Sequence, residues 1–209
     1  MALSNKEGKR TYVQIKNGQF AVLCNSNPIP EGAVEVISVK SGKKNYFMLY
    51  NELSGTITGF STETREVSGA PLSELKVHIT DGDENYVLSL NQDNDYFTSF
   101  VKFILNADIT KPVKLSASEK KEGEKIYKNI FVSQNGTTMK AAWNKDSDPK
   151  DQPPKWESTK FKDKTLWDKS EQIAWLLNKV NGLAANLVSP VEAAVVNKPS
   201  DFPDDDLPF

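Results

Sequence analysis

The sequence predicts a mainly β fold, built on a small five-stranded barrel with one helix between its third and fourth strands. Three observations carry that expectation. Runs rich in β-branched and aromatic residues recur along the chain, separated by Gly, Asn and Asp turn signals. One segment, from Tyr96 to Leu105, changes to helical spacing. The first strand of the set is long, Thr-rich and interrupted by Gly59, as a strand must be if it bends around the corner of a small barrel.

Residues 1–50 read as an N-terminal extension. Its first part is polar, is punctuated by Gly and Pro, and has one apolar stretch at Phe20-Ala21-Val22-Leu23. Val34, Val36, Ile37 and Val39 then face Tyr46-Phe47-Met48-Leu49-Tyr50 across Ser41-Gly42-Lys43-Lys44, which predicts a hairpin. Tyr46, Met48 and Tyr50 share one face of it, free to clamp a ligand, to pack on the barrel or to meet another protomer.

Residues 51–188 form the expected main domain. Ser54 to Glu66 is its long first strand, with a bulge or bend at Gly59. Leu75-Lys76-Val77-His78-Ile79 and Tyr86-Val87-Leu88-Ser89-Leu90 alternate on either side of Asp81-Gly82, a strong hairpin signal. Asp93-Asn94-Asp95 supplies cap residues for the helix that follows, whose Phe97, Phe100 and Phe103 are expected in the core. Strand patterns resume at Val113-Lys114-Leu115 and at Ile126 to Val132. Gln134-Asn135-Gly136 turns the latter into Thr137 to Trp143. Residues 144–165, rich in Lys, Asp and Pro, read as a loop with Trp156 and Phe161 as anchors. Trp167 to Val180 marks a C-terminal helix capped by Ser170 or Asp168 and ending near Gly182. Residues 189–209 read as a disordered tail. An order of three strands, a helix and two strands is that of the OB-fold, a Greek-key barrel whose central strands and flanking loops commonly hold oligonucleotides. An α+β sheet shares that linear order.

Composition narrows the function. One cysteine, Cys24, excludes an internal disulfide, and with His78 as the only histidine no Cys/His cluster is available for zinc. No nucleotide-binding glycine loop and no H-E-x-x-H occurs, and a single histidine offers little to acid–base or nucleophilic catalysis, so no enzymatic activity and no cofactor or metal are expected. No signal peptide and no apolar run long enough to span a bilayer is legible, which predicts an intracellular protein in a reducing compartment with no membrane partner. The net charge of −2 hides a division: four of the 28 acids lie in residues 201–209, so the other 200 residues hold 24 acids against 26 bases.

Binding to single strands needs cations along a groove and aromatic faces on which bases stack. Phe60 and Arg65 on the first strand, Lys76 and His78 on the second, and Tyr86 on the third supply both. So do Tyr127, Lys128, Phe131, Lys140 and Trp143 near the last hairpin. Tyr86 and Phe131 lie on strands with one core-facing side, so each either stacks on bases or fills the core; Trp143, beside lysine, is the better contact residue. The tip Asp204-Asp205-Asp206-Leu207-Pro208-Phe209 presents a ring, a free carboxylate and three acids. That set suits a hydrophobic pocket rimmed with Arg or Lys on a partner protein. An acidic tail built only for solubility has no need of Leu207 and Phe209.

The tip closely resembles the Asp-Asp-Asp-Ile-Pro-Phe ending of bacterial single-stranded DNA-binding proteins, with Leu207 in place of isoleucine. The body resembles bacteriophage single-stranded DNA-binding proteins of OB-fold type over residues 50 to 180. The stretches that carry this are Gly55-Thr56-Ile57-Thr58-Gly59, Tyr86 to Leu90, Asp108 to Leu115 and Phe131 to Gly136. The resemblance implies coating of single strands without sequence specificity during phage DNA replication, recombination and repair, in the cytoplasm of an infected bacterium. It also implies recruitment of replication or repair proteins by the tip. The alternative is an OB-fold adaptor that binds replication proteins and not DNA.

Overall fold

Alternation of apolar and polar side chains yields twelve strands among the described residues of the computed structural model, which are 10–24, 26–37, 42–67, 69–161 and 164–187. The acidic tip, the rest of the expected tail and the first nine residues lie outside that set. Strands β1 (Arg10–Lys16) and β2 (Gln19–Cys24) form a hairpin, as do β3 (Val34–Ile37) and β4 (Lys44–Tyr50). The long β5 (Glu52–Val67), β6 (Ala70–Asp81) and β7 (Glu84–Asn91) form an antiparallel meander. Helix α1 (Asp95–Ile104) leads to β8 (Val113–Glu122), β9 (Lys125–Gln134) and the two-residue β10 (Thr137–Thr138). A second hairpin sheet, β11 (Glu157–Phe161) with β12 (Lys164–Asp168), precedes α2 (Ser170–Ala184).

The expected bend in β5 is present: its register with β6 slips between Ile57 and Gly59. Asn94 caps α1, its side-chain oxygen accepting the Tyr96 amide, and Asp168 accepts the Ser170 amide at the start of α2. Two expectations fall short. The strand expected over Thr137 to Trp143 stops after Thr138, and the expected loop 144–165 contains a 3-10 turn at Pro149–Asp151 and most of the β11–β12 hairpin.

The protein is mainly β, but its sheet is not closed into the expected barrel. Ten strands run in the order β10-β9-β8-β5-β6-β7-β1-β2-β4-β3. The central five, β7-β6-β5-β8-β9, would close only if β7 met β9. Both edges are occupied by something else. β1 pairs in parallel with β7, Tyr12 opposite Val87, so residues read as an appended extension belong to the main sheet. On the other side α1 packs along β9, where the Ser99 hydroxyl donates to the Ile130 carbonyl and accepts the Ile130 amide. One side chain thus satisfies both ladder groups of a residue that a closing strand would otherwise pair.

The core lies between the inner face of the sheet and the two helices. Leu75, Val77 and Ile79 of β6, Leu88 and Leu90 of β7 and Leu115, Ile130 and Val132 of β8–β9 meet Phe97, Phe100, Val101 and Ile104 of α1. Leu176 and Val180 of α2 cover the remaining side. Each such side chain contributes about 1.5–3 kcal/mol on burial. Curling brings the β1–β2 turn onto β8: a Cβ at Gly18 would lie 2.5 Å from the Glu119 amide nitrogen, and φ there is +76°. Only glycine meets both conditions. Tyr96 fastens the same region by donating its hydroxyl to Glu119 at 3.1 Å, and burial with that carboxylate raises its pKa well above the tyrosine range.

Candidate nucleic-acid interface

Pairing across β1, β7, β6 and β5 lays side chains out in rows on the outer face of the sheet. Tyr12, Val87, His78 and Gly59 form one row; Ser89, Lys76 and Ser61 belong to the next. His78 and Lys76 share this face, as alternation required. His78 Nε2 lies 2.9 Å from the Ser61 hydroxyl, and burial, with the nearby Arg10 charge, lowers its pKa below the ordinary value of 6.5. It is neutral at physiological pH.

Lys76 is not available to phosphate. Its side chain is only 12% exposed, with Nζ 2.6 Å from Glu74, 3.2 Å from Glu63 and 2.9 Å from the Ser89 hydroxyl. Arg65 is committed in the same way, 3.2 Å from the other oxygen of Glu74. Cross-strand geometry explains this: Glu63 lies opposite Glu74, and two carboxylates facing each other draw in every cation within reach.

Two aromatic candidates serve the core: Phe60 packs 6.5 Å from Phe100, and Trp143 is 7% exposed, edge to face with Trp175 at 5.5 Å. Phe131 is half-buried, alternates with the core-facing Ile130 and Val132, and packs 5.4 Å from Phe103. Trp143 as a contact residue is therefore a correction: its short segment tucks under α2, and the ring that looked loop-borne closes the core. Tyr86 borders a cavity of about 440 Å³, together with Asp81, Glu84 and Tyr50. Burial and those carboxylates raise its pKa, which marks a negative surrounding unsuited to phosphate.

Tyr127, Lys128 and Lys140 remain open. Tyr127 is 45% exposed on β9, Lys128 holds its ammonium 5.9 Å above the Tyr96 ring, and Lys140 is exposed while its carbonyl accepts from Asn106. Lys128 opens onto a cleft of about 370 Å³ shared with Ile126, Trp156, Lys169, Asn91 and Asn94, and Asp93 and Asp95 stand on its rim. Trp156 and Trp167 are 42% and 59% exposed and meet at 6.2 Å and 68°. Lys169 lies 4.2 Å over the Trp156 ring and donates to the Asp93 carbonyl, while the indole N–H donates to Gln172 at 2.8 Å. Among the described residues neither Lys128 nor Lys169 is ion-paired with a carboxylate.

Local pattern predicts Trp156 as a loop anchor and Trp167 as a helix residue, and neither expectation indicates the pair. The available signal was the neighbouring lysine of each, Lys155-Trp156 and Trp167-Asp168-Lys169, on two short runs that β11–β12 pairing brings together. No group of His, Cys, Asp and Glu among the described residues is arranged to hold a metal, and no helix among them is long and apolar enough to cross a membrane. No family model, no curated protein and no solved structure matches this chain.

Proposed function

We propose that the chain binds single-stranded DNA without sequence preference and recruits replication, recombination or repair proteins through Asp204 to Phe209. The observation that carries the reading is the exposed Trp156–Trp167 pair beside Lys128 and Lys169. Indole faces stack on any base at about 1–3 kcal/mol each, and unpaired ammonium groups next to them attract the phosphates. Fixing Trp156 by its hydrogen bond to Gln172 lowers the entropy lost when a base stacks on it.

The strand order β5-β6-β7, helix, β8-β9 also supports an OB-type scaffold, here opened by β1 and α1. The resemblance of the tip and body supports a role in phage DNA metabolism inside the infected bacterium, with no catalysis. Titration with an oligothymidine, followed by tryptophan fluorescence at two salt concentrations, tests the reading. Quenching that weakens as salt rises is the expected result, and unchanged fluorescence at both concentrations would refute it.

One observation favours the adaptor reading. The cavity beside Tyr86 joins an apolar floor of Val13, Phe20, Val22 and Leu53 to the carboxylates of Glu52, Asp81 and Glu84, a lining suited to a basic, apolar peptide. That reading predicts no quenching by oligothymidine.

A further inference from the structure

The tryptophan cleft is one end of a longer surface. Asn91 and Asn94 line both that cleft and a second, smaller one whose other walls include Gln14, Ser89 and Arg65. Gln14 and Ser89 lie one row along the outer face from Tyr12 and Val87, where a third cleft of about 270 Å³ opens. Arg10 and His78 line this third cleft from β1 and β6, and Val87 and Gly59 line it between them and beyond. A glycine at that point leaves the row without a side chain, so the floor beside His78 is open. Tyr12 stands at the end of the row and is 61% exposed, the most exposed of the described large apolar and aromatic side chains.

From Val87 to Asn91 the surface runs four residues along β7, about 13 Å at the usual strand rise. Glu74, opposite Asn91, lines the smaller cleft, and Arg65 and Lys76 neutralise it. Those two ion pairs therefore have a role in the surface: they remove the negative charge that would interrupt a run of phosphates.

We infer that a bound single strand continues from the tryptophan cleft over Asn91 and Ser89 to a second station, where Tyr12 stacks on a base and Arg10, with the polar His78–Ser61 pair, holds a phosphate. The inference rests on the single-strand reading. It adds a site contributed by β1, the strand that took the edge of β7 in place of barrel closure.

The test uses the full chain and fluorescein-labelled oligothymidines of about 4 and about 16 nucleotides, the limits of an ordinary site of this kind, read by anisotropy. Tyr12→Ala and Arg10→Gln are expected to weaken the longer strand about fivefold or more and to leave the shorter within about twofold. Trp167→Ala is expected to weaken both lengths. Tyr12 is largely exposed, so its replacement leaves the fold intact, and circular dichroism checks that. If Trp167→Ala weakens binding while Tyr12→Ala and Arg10→Gln bind the longer strand like the parent, the path ends at the tryptophans and this inference is overturned. Equal weakening of both lengths by Tyr12→Ala overturns it too, because the stations would not be separate. If the parent binds neither strand, the single-strand reading falls, and this inference with it.

Discussion

Trp143 and Trp175 meet edge to face at 5.5 Å and 87°, and Trp156 and Trp167 do nearly the same at 6.2 Å and 68°. The first pair closes the core under α2, with Trp143 7% exposed; the second stands in solvent, with rings 42% and 59% exposed. Ring-to-ring geometry therefore says little about role. A lysine ammonium lies over one ring of each pair, Lys179 over Trp175 at 4.9 Å and Lys169 over Trp156 at 4.2 Å, so the difference lies in burial: Trp143 is enclosed in the core, whereas Trp156 and Trp167 border open cleft and solvent. Aromatic side chains stack on each other whether or not they are buried, whereas a base needs a face that nothing else occupies.

The comparison breaks most sharply on stability. Replacing Trp143 with Ala is expected to cost about 3–5 kcal/mol of unfolding free energy, because it empties a packed site. Urea denaturation measures this, and the fraction that stays folded should bind oligothymidine as the parent does. Loss of affinity without loss of stability would return Trp143 to the binding surface. Trp167→Ala should do the reverse: stability almost unchanged, and affinity reduced by about 1–3 kcal/mol in a fluorescence or anisotropy titration.

A smaller effect separates the cations. Lys128→Met is expected to flatten the dependence of log affinity on log salt by about 0.7 for the phosphate contact it removes. Lys76→Met should leave that slope alone and instead lower stability by about 1–3 kcal/mol, since Glu74 is left with one cation in place of two. Equal slopes in the two variants would mean that Lys128 is no freer than Lys76.

The smallest expected effect belongs to the outer face and to neither tryptophan pair. His78 has a lowered pKa, so it is neutral above 6.5 and gains its proton only as pH falls through a value below that. Arg10 faces it from β1, while Lys76, two residues away on its own strand, and Arg65 are already balanced by Glu63 and Glu74, so among the described residues protonation adds a second unpaired cation beside Arg10. Affinity for the longer oligothymidine should therefore rise modestly between about pH 7 and pH 5, and His78→Gln should abolish that rise. Folding responds with the opposite sign. The unfolded chain binds the proton more readily, so the stability due to neutral His78 is complete above 6.5 and is lost as pH falls through the lowered value.

Much of the fold was legible in local sequence. The Gly59 bend, the Asp81-Gly82 hairpin, the Asn94 cap and the core positions of Phe97 and Phe100 follow from side-chain preferences within a few residues, and each is found where those preferences put it, while Phe103 is only partly buried against the core. Failures came from distance. Nothing near Arg10 to Lys16 indicates that this segment will pair in parallel with β7, some 75 residues on. Nothing near Ser99 announces that its hydroxyl will satisfy both backbone groups of Ile130. Those two contacts keep the sheet open.

The sequence by itself determined the chemistry on offer: a mainly β chain with lysines and aromatics interleaved, one histidine, one cysteine and an acidic tip ending in phenylalanine. Only the tertiary structure decided which of those groups face solvent unpaired. Exposure and ion pairing depend on neighbours brought in from elsewhere in the chain. Glu74 and Glu63 therefore took Lys76, α2 covered Trp143, and pairing of β11 with β12 brought Trp156 and Trp167 together in the open.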